Sequence, residues 1–273
     1  MQALALTESW PVPTVSAAVV RPDGSTATVG SVDHVFRLAS LSKLVMAWAT
    51  LVACEEGVVQ LAQPVGQAGC TLQHLLAHAG GYAFDGAEPI GPPGRRRIYS
   101  NTGIELAAET VATAADMPFE QYQREAVLEP LGMRRTELRG SPAHGLRSTV
   151  RDLVTFVGEL RAPTLVSAPT AEQFRTVQFP GLSGVVPGIG RYDDCPWGLG
   201  AEIRGSKQPH WTGTLNSPST FGHFGGAGTL LWVDPGAHVA CVALTDRPFD
   251  QWSAEALQLW PALSDAALQE ARA

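Results

Sequence analysis

The feature that most constrains the fold is a pair of β-hairpin patterns near opposite ends of the chain. Residues 14–20 and 25–30 flank the turn RPDG, and residues 229–234 and 238–244 flank a Pro-Gly turn. Such turn residues between runs rich in β-branched side chains are typical of antiparallel hairpins. Two hairpins so far apart in the sequence indicate one antiparallel sheet assembled from both ends of the chain.

Between the hairpins, the apolar residues mostly recur at helical spacing. Helices are expected at 40–56, 71–80, 101–115, 119–132 and 149–163. Residues 253–273 also have helical composition, but Pro261 should interrupt that helix because proline lacks a backbone N–H. Residues 180–220 are rich in Gly, Pro and Ser, which indicates loops with one strand near Trp197.

These elements predict a fold of the α/β class, of the α+β type, in which helices flank an antiparallel sheet and a large, mainly helical insertion divides its strands. Residues 1–39 and 190–273 would form the sheet domain, and residues 40–189 the helical domain. The cleft where the two meet is the natural place for an active site.

The composition argues against several kinds of partner. A formal net charge of −7 on 273 residues leaves no basic excess to bind a phosphate backbone, so no nucleic-acid partner is expected. The longest strongly apolar stretch, Leu44 to Cys54, is about half the length of a membrane-spanning helix, so no membrane partner is expected. The first residues lack the basic and apolar regions of a secretory signal, which favours a cytoplasmic location. The oligomeric state stays open.

The four cysteines, Cys54, Cys70, Cys195 and Cys241, are far apart and include no C-x-x-C spacing. In a reducing compartment this pattern indicates free thiols in packed positions rather than disulfides or a zinc site. Neither a metal ion nor an organic cofactor is predicted.

Lys43 is unusual because it is one of only two lysines, the other being Lys207, among 19 basic residues. Arginine cannot release its proton at a workable pH, whereas a lysine in a desolvated pocket can. Ser40 precedes Lys43 by three residues, so on a helix the two side chains share one face. We therefore interpret Ser40 as a nucleophile and Lys43 as its base. Alternatively, Ser40 caps a core helix and Lys43 extends to solvent. Ser42 is a poorer candidate nucleophile because adjacent residues do not share a face.

Tyr99 and Asn101 form a second pattern, Y-x-N, just before a predicted helix. A tyrosine can accept a proton where neighbouring cations lower its pKa, and an asparagine amide can orient Lys43 or hold a substrate carbonyl. Alternatively, Asn101 caps the helix that follows and Tyr99 packs in the core.

The third pattern is the segment GHFGGAGTLLWVDP at residues 222–235, where a glycine-rich turn leads into a strand. Glycines there allow a substrate to approach the strand closely, and a backbone N–H can form an oxyanion hole together with that of Ser40. Alternatively, the glycines make a β-bulge and His223 is a surface histidine.

In this order, the three patterns resemble those of the serine β-lactamase and penicillin-binding protein superfamily, especially its class C β-lactamase, D,D-peptidase and family VIII esterase branch. The resemblance covers nearly the whole chain. The matching segments are VFRLASLSKLVMAWATL, LQHLLAHAGG, IYSNTGIELAAETV, EPLGMRRTEL, GLRSTVRDLVTF, WGLG and GHFGGAGTLLWVDP. The resemblance implies a β-lactamase/transpeptidase-like fold and an acyl-enzyme mechanism.

The resemblance also implies a role for each candidate site residue. Ser40 would be acylated, and Lys43 and Tyr99 would share the base and acid roles. Asn101 would bind the amide or ester flank of the substrate. The backbone N–H groups of Ser40 and Gly226 would form the oxyanion hole.

One departure from the family pattern concerns the substrate. His223, Phe224 and Gly225 stand where the family has Lys-[Thr/Ser]-Gly, so these substrate-binding positions lack the usual cation and hydroxyl. A substrate carboxylate would lose charge-assisted hydrogen bonds worth roughly 1.5 to 3 kcal/mol each. We therefore expect a carboxylesterase or amidase acting on a small ester or amide. The alternatives are β-lactamase, D,D-peptidase or D-aminopeptidase activity and acyl transfer, with a non-catalytic binding module as a more remote one.

Other enzyme classes fit less well. His74 and His78 have the i, i+4 spacing of a helical zinc site, but Leu75 replaces the Glu of H-E-x-x-H and no third ligand is evident. No G-x-S-x-G motif occurs, which argues against an α/β-hydrolase. The run Arg95–Arg97 just before Tyr99 can meet an anionic leaving group, although a solvated loop is the simpler interpretation.

Overall fold

The structure, a computed structural model, describes residues 1–272. Its helices are α1 (Gln2–Ala5), α2 (Ser42–Glu55), α3 (Leu72–Leu76), α4 (Asn101–Ala115), α5 (Phe119–Gln123), α6 (Val150–Arg161), α7 (Ala168–Arg175) and α8 (Ser253–Arg272). Its strands are β1 (Val15–Val20), β2 (Thr26–Val29), β3 (Phe36–Arg37), β4 (Arg97–Ile98), β5 (Glu137–Leu138), β6 (Leu146–Ser148), β7 (Gly184–Val186), β8 (Gly190–Tyr192), β9 (Glu202–Ile203), β10 (Phe221–Gly225), β11 (Thr229–Asp234) and β12 (Val239–Thr245). Short 3₁₀ turns cover Leu6–Ser9, Ala39–Leu41 and Phe249–Gln251, and a π-helical turn covers Arg124–Leu128.

The main sheet has the strand order β2-β1-β12-β11-β10-β9, and all neighbouring strands in it are antiparallel. Both predicted hairpins are present, as β1–β2 and β11–β12. Val15 lies opposite Thr245, so β1 and β12 join the two hairpins into one sheet. The predicted fold class is therefore confirmed. The division of the chain at residues 40 and 189 stays a prediction.

Helices cover both faces of this sheet. Along β1, Ala17 and Val19 belong to one buried cluster and Ala18 and Val20 to another, because alternate residues of a strand point to opposite faces. The first cluster packs against α1 and α8 and contains every buried tryptophan except Trp48. The second includes the apolar residues of α2 and α6. The sheet is therefore the middle layer of three.

Helices α2, α4 and α6 confirm the predicted helices, and two others are shorter than expected. The predicted 71–80 helix ends at Leu76, because His78 has a φ of 54° and redirects the chain. The predicted 119–132 helix divides into α5 and the π-helical turn, which ends at Leu128.

The predicted interruption of the last helix is wrong. Helix α8 continues through Pro261, although this residue donates no backbone hydrogen bond. Trp260 and Leu263 are fully buried, and their packing on the sheet outweighs the lost hydrogen bond. Residue 273, the last of the predicted helix, lies outside the described residues.

The prediction of loops with one strand near Trp197 missed two of the strands in this segment. Residues 180–220 contain β7, β8 and β9, whereas Trp197 makes only an isolated bridge to Glu202. Strands β7 and β8 join β4 in a small sheet of order β4-β7-β8, and β3, β6 and β5 form another. The parallel pairing of β4 with β7 could not be predicted from residues 180–220 alone, because β4 lies about ninety residues earlier in the chain.

Two other expectations can be compared with the structure. Cys70, Cys195 and Cys241 are buried and Cys54 is half-buried, and all four are free thiols, as the sequence predicts. Within residues 1–272, no helix is both long and apolar enough to cross a bilayer.

Candidate active site

The turn that carries Ser40 is held against the main sheet. Ser40 lies in a 3₁₀ turn just before α2, and the preceding residue, Ala39, has a φ of 48°. The Thr229 hydroxyl of β11 donates to the Leu38 carbonyl at 2.8 Å. A Cβ on Gly225 would lie 2.2 Å from the same carbonyl, so glycine lets β10 approach the turn. The strand pair β10–β11 thereby fixes the position of Ser40.

Ser42 is occupied by structural hydrogen bonds. Its hydroxyl donates to the Ala39 carbonyl at 2.6 Å and accepts from the Leu146 N–H at 2.9 Å. The Ser40 hydroxyl instead contacts the Lys43 amine and borders two cavities. Of the two serines, Ser40 is the one available to react.

Lys43 is completely buried in the first turn of α2. Its Nζ donates to Ser40 Oγ at 3.1 Å, to Asn101 Oδ1 at 2.7 Å and to the Ala143 carbonyl at 2.9 Å. The S-x-x-K spacing therefore does bring the hydroxyl and the amine together, and the alternative of a solvent-reaching Lys43 is wrong. All three acceptors are uncharged.

The protonation of Lys43 follows from this environment. Burial lowers the pKa of the amine to about 7, while the carboxylates of Glu105 and Asp85 partly oppose the shift. A neutral amine has two hydrogens and one lone pair. With Asn101 and Ala143 accepting the two hydrogens, the lone pair is left for the hydroxyl proton of Ser40.

Tyr99 is a buried phenol next to this pair. The Lys43 Nζ lies 4.8 Å from its ring centroid. Burial raises the pKa of Tyr99 well above its ordinary value, although the nearby Ser40 hydroxyl acts in the opposite direction. This direction favours the acid role of Tyr99 over a proton-accepting one. Its hydroxyl has no hydrogen-bond partner within residues 1–272, so it is free to give a proton to a bound molecule.

Asn101 orients the amine and does not cap its helix. The cap of α4 is Ser100, whose hydroxyl accepts from the Gly103 N–H at 2.9 Å. The Asn101 amide nitrogen donates to Asp85 at 3.1 Å, which directs its oxygen to Lys43. The alternative of Asn101 as a helix cap is therefore wrong.

His223 lies inside the protein, so the interpretation of it as a surface histidine is wrong. Its Nδ1 is hydrogen-bonded to the Phe224 carbonyl, which can only accept, so Nδ1 carries the proton. Burial lowers the pKa of His223 to about 4, and the nearby Lys43 contributes. His223 is consequently neutral at pH 7, with an unpaired lone pair on its buried Nε2.

Gly226 follows β10 and borders the same two cavities as Ser40. Its N–H donates to no atom within the described part of the chain. A Cβ at this position would meet nothing within 4 Å, so the backbone is open on that side. These features are compatible with the expected oxyanion hole, an assignment that stays a prediction.

Two cavities meet at Ser40. One, the apolar pocket, has a volume of about 230 Å³, and its walls include Tyr99, Trp197, His223, Phe224 and Phe249. The other, the polar cavity, has a volume of about 630 Å³, and its walls include Arg37, Asp85, Asn101, Arg147 and Asp246. Phe224 thus forms part of an aromatic wall, since its ring centroid lies 5.2 Å from that of Phe249.

His78 supports the site rather than a metal ion. The Ser100 N–H donates to its Nδ1 at 3.2 Å, and its ring centroid lies 4.6 Å from that of Tyr99. Helix α3 ends before His78, so His74 and His78 do not share a helix face and the zinc-site interpretation is wrong. Among residues 1–272, no three His, Cys, Asp or Glu side chains are grouped closely enough to hold a metal ion.

Sequence reasoning did not identify two contributors to the site. The Ala143 carbonyl contacts Lys43, but a backbone carbonyl has no sequence signature. Trp197 lines the apolar pocket, and the WGLG segment that carries the family resemblance was the signal that could have identified it.

Comparisons with known proteins agree with this fold. The family model described as Beta-lactamase matches residues 5–263. A beta-lactamase from Mycobacterium bovis is 50% identical, with a TM-score of 0.95 over 98% of this chain and 99% of its own. A mutant simvastatin synthase from Aspergillus terreus has a TM-score of 0.80 at 17% identity, over 99% of this chain and 98% of its own. At that identity the second likeness concerns the fold alone.

Curated relatives match over a shorter range. A protein from Escherichia coli O157:H7 with the provisional name D-alanyl-D-alanine carboxypeptidase is 24% identical over 200 residues. The match covers 57% of this chain and 46% of that protein. This chain therefore spans about half the length of the curated relatives that it matches.

Proposed function

Because this chain belongs to the Beta-lactamase family, whose members are serine hydrolases, we propose that it forms an acyl-enzyme on Ser40 and hydrolyses small esters or amides. The observation that carries the proposal is the contact of 3.1 Å between Ser40 Oγ and the buried Lys43 amine. An amine whose pKa is lowered to about 7 by burial can exchange a proton at neutral pH.

Acylation begins with Ser40. Its Oγ attacks the substrate carbonyl carbon while its proton passes to the lone pair of Lys43. The carbonyl oxygen becomes an oxyanion that the N–H groups of Ser40 and Gly226 stabilise. Tyr99 gives its phenol proton to the leaving oxygen or nitrogen as that bond to carbon breaks, and the Lys43 ammonium restores the phenol proton.

Deacylation uses water in place of the leaving group. The water oxygen attacks the acyl carbon, its proton passes to neutral Lys43, and the ester bond to Ser40 breaks as Oγ takes that proton back. The two half-reactions return every group to its starting protonation state, so no metal ion or organic cofactor is needed.

The neutral state of His223 bears on the substrate. A carboxylate next to the reacting bond would meet the Nε2 lone pair of His223 and the phenyl ring of Phe224 instead of a cation and a hydroxyl. An uncharged ester or amide suits these groups better, and a donor N–H or O–H near the reacting bond can satisfy Nε2. The volume of the apolar pocket, about 230 Å³, favours a small group there.

The test is covalent labelling followed by mass spectrometry of the peptides. A fluorophosphonate should add one label to the peptide that contains Ser40, and Ser40→Ala should remove the label. Ser42→Ala is the matched control, because Ser42 lies two residues away and is engaged in structural hydrogen bonds. Absence of any label on the folded wild type would support a non-catalytic binding module instead.

A second candidate is β-lactam hydrolysis, which is favoured by the name of the 50% identical M. bovis protein. Rates on short-chain p-nitrophenyl esters, a chromogenic cephalosporin and D-Ala-D-Ala peptides distinguish the candidates. We expect esters to be hydrolysed most efficiently. A cephalosporin with the highest kcat/KM would overturn the esterase proposal and leave the acyl-enzyme on Ser40 intact.

A further inference from the structure

We propose that the leaving group of the substrate carries an anion at its far end, and that Arg95, Arg96 and Arg191 bind this anion. These three residues border a cavity of about 560 Å³, here named the arginine groove. The inference rests on the proposed function, since it concerns the substrate of the same Ser40 site.

The floor of the arginine groove is the small sheet β4-β7-β8. Ile98 of β4 lies opposite Val185 of β7, which in turn lies opposite Arg191 of β8. Residues paired across neighbouring strands point to the same face. The outer face of this sheet therefore presents two apolar side chains beside a guanidinium.

The groove is unusually apolar for an exposed surface. Phe84, Ile90 and Val185 all line it, with exposed fractions of 48%, 64% and 47%. Within residues 1–272 the other large apolar side chains with comparable exposure are Leu6 and Val35. Exposed apolar side chains gathered in a concave surface are typical of a binding site, because removing them from water under a ligand is favourable.

The run Arg95–Arg97 divides between two roles. Arg97 is buried and donates to the backbone carbonyls of Ala77 and Cys195, so it fixes the segment in place. Arg95 and Arg96 are exposed and line the groove.

The groove carries uncompensated positive charge. Arg95, Arg96 and Arg191 form no salt bridge with any residue of the described range. Of the described residues that line the groove, none is acidic. In a chain with a formal net charge of −7, such a local positive surface indicates an anionic ligand.

The arginine groove adjoins the apolar pocket beside Ser40, because Phe84, Tyr99 and Pro187 line both cavities. Tyr99 does not line the polar cavity on the other side of Ser40. If Tyr99 protonates the leaving group, the leaving group must lie on the side of Tyr99. Its apolar part then occupies the apolar pocket and its far end reaches the arginines, while the acyl group lies toward the polar cavity.

The site therefore treats charge differently at the two ends of the leaving group. Next to the reacting bond the site offers the neutral His223, which does not bind a carboxylate through charge. At the far end of the leaving group the groove offers three guanidinium groups, which pair with carboxylates and phosphates in bidentate geometry. The substrate class that fits is an ester or amide with an uncharged centre and a remote anion.

The experiment compares two butyrate esters that differ only at the far end of the leaving phenol. One phenol is 3-(4-hydroxyphenyl)propanoate and the other is the corresponding uncharged propanamide. Release of each phenol is followed by chromatography, and each rate is divided by the spontaneous rate in buffer. We expect the wild type to prefer the carboxylate by about tenfold in kcat/KM, mainly through KM, because three modest charge interactions add. Raising NaCl from about 0.02 M to about 0.5 M should reduce the preference.

The double variant Arg95→Gln/Arg96→Gln and the single variant Arg191→Gln should each reduce the preference at least about threefold. Both should lower kcat/KM for the propanamide ester less than for the carboxylate ester, because the amide carries no charge for the guanidinium groups to bind. Arg134→Gln is the matched control, because Arg134 is exposed, forms no salt bridge with a described residue and borders none of these three cavities.

The failure of this inference can be told apart from the failure of the proposed function. Turnover of both esters at equal normalised rates, or an equal loss for both esters in the groove variants, would overturn the anion site and leave the hydrolase intact. Turnover of neither ester, with no fluorophosphonate label on Ser40, would overturn both.

Discussion

Lys43 and Lys207, the two lysines of the chain, occupy buried regions of opposite character. Lys43 contacts a hydroxyl, an amide oxygen and a backbone carbonyl, and no carboxylate. Lys207 lies 3.1 Å from the carboxylate of Glu202 and donates to the carbonyls of Pro196 and Ile203. Both side chains are excluded from water, so the difference lies in the partners.

Glu202 belongs to a network that favours its ionised form. His210 lies 3.2 Å from one carboxylate oxygen, and the Trp211 indole donates to the other at 2.7 Å. Burial by itself would raise the pKa of Glu202, but Lys207, His210 and these hydrogen bonds outweigh it and lower the pKa well below its ordinary value. A buried lysine with an ionised partner is structural, whereas one with neutral partners is able to exchange its proton.

The largest expected effect is on turnover. Lys43→Met and Lys43→Arg should each lower kcat/KM at least about a thousandfold, because neither side chain can take the Ser40 proton. Lys207→Met should keep kcat/KM per folded molecule within about tenfold, since it lies outside the Ser40 contacts. Folded molecules of each variant are counted by circular dichroism, because fluorophosphonate labelling itself needs an activated Ser40. Near-normal rates for Lys43→Arg would show that proton exchange is not the role of this position.

The next largest effect is on the free energy of unfolding. Here Lys207→Met should be more harmful than Lys43→Met. Lys207→Met leaves an ionised Glu202 without its partner, which typically costs about 3 to 5 kcal/mol. Lys43→Met removes an amine with neutral partners and should cost less. Urea unfolding gives both values, and Lys207→Met/Glu202→Gln should recover part of the loss. A smaller loss for Lys207→Met than for Lys43→Met would contradict the assignment of the two regions.

The pH dependence of stability should reveal the lowered pKa of Lys43. Its pKa in the folded protein is about 7, below the 10.5 of a free lysine. Between these two pH values the unfolded chain binds more protons at this site than the folded one, so stability gains up to about 1.4 kcal/mol per pH unit as pH rises. Below pH 7 both states are protonated and the contribution is constant. The difference in unfolding free energy between wild type and Lys43→Met should therefore grow above pH 7, and a constant difference would contradict the lowered pKa.

The smallest effect concerns His223, which is buried like both lysines but neutral. His223→Ala should lower kcat/KM on uncharged esters by about tenfold or less, through loss of one hydrogen-bond acceptor. The pH profile between about 5 and 8 should keep its shape, because the histidine does not titrate there. A loss equal to that of Ser40→Ala would place His223 in the proton relay.

The sequence predicts most of the fold because the decisive signals are local. Turn residues between β-branched runs predict both hairpins, and helical periodicity predicts α2, α4 and α6. The long-range pairing of β4 with β7 has no local signal, since Arg97 meets Gly184 only in the folded chain. Pro261 shows the opposite error, because tertiary packing of α8 overrides a local helix breaker.

For the candidate site, the spacing of Ser40 and Lys43 predicts their contact because the helical turn fixes it. The protonation states are less accessible from sequence, because they depend on burial by residues far away in the chain. Tyr99 and His223 illustrate this limit, since burial determines the protonation of both.

The most direct test of the central claim is a pH titration of the lysine side chains by NMR. Because the chain has only two lysines, labelling with [ε-¹³C]lysine gives two signals, and the one absent from Lys43→Met belongs to Lys43. We predict that the Lys43 signal shifts with a midpoint near pH 7, as burial beside neutral partners requires. A Lys43 signal that remains that of an ammonium group up to about pH 9 would contradict its role as the base that activates Ser40.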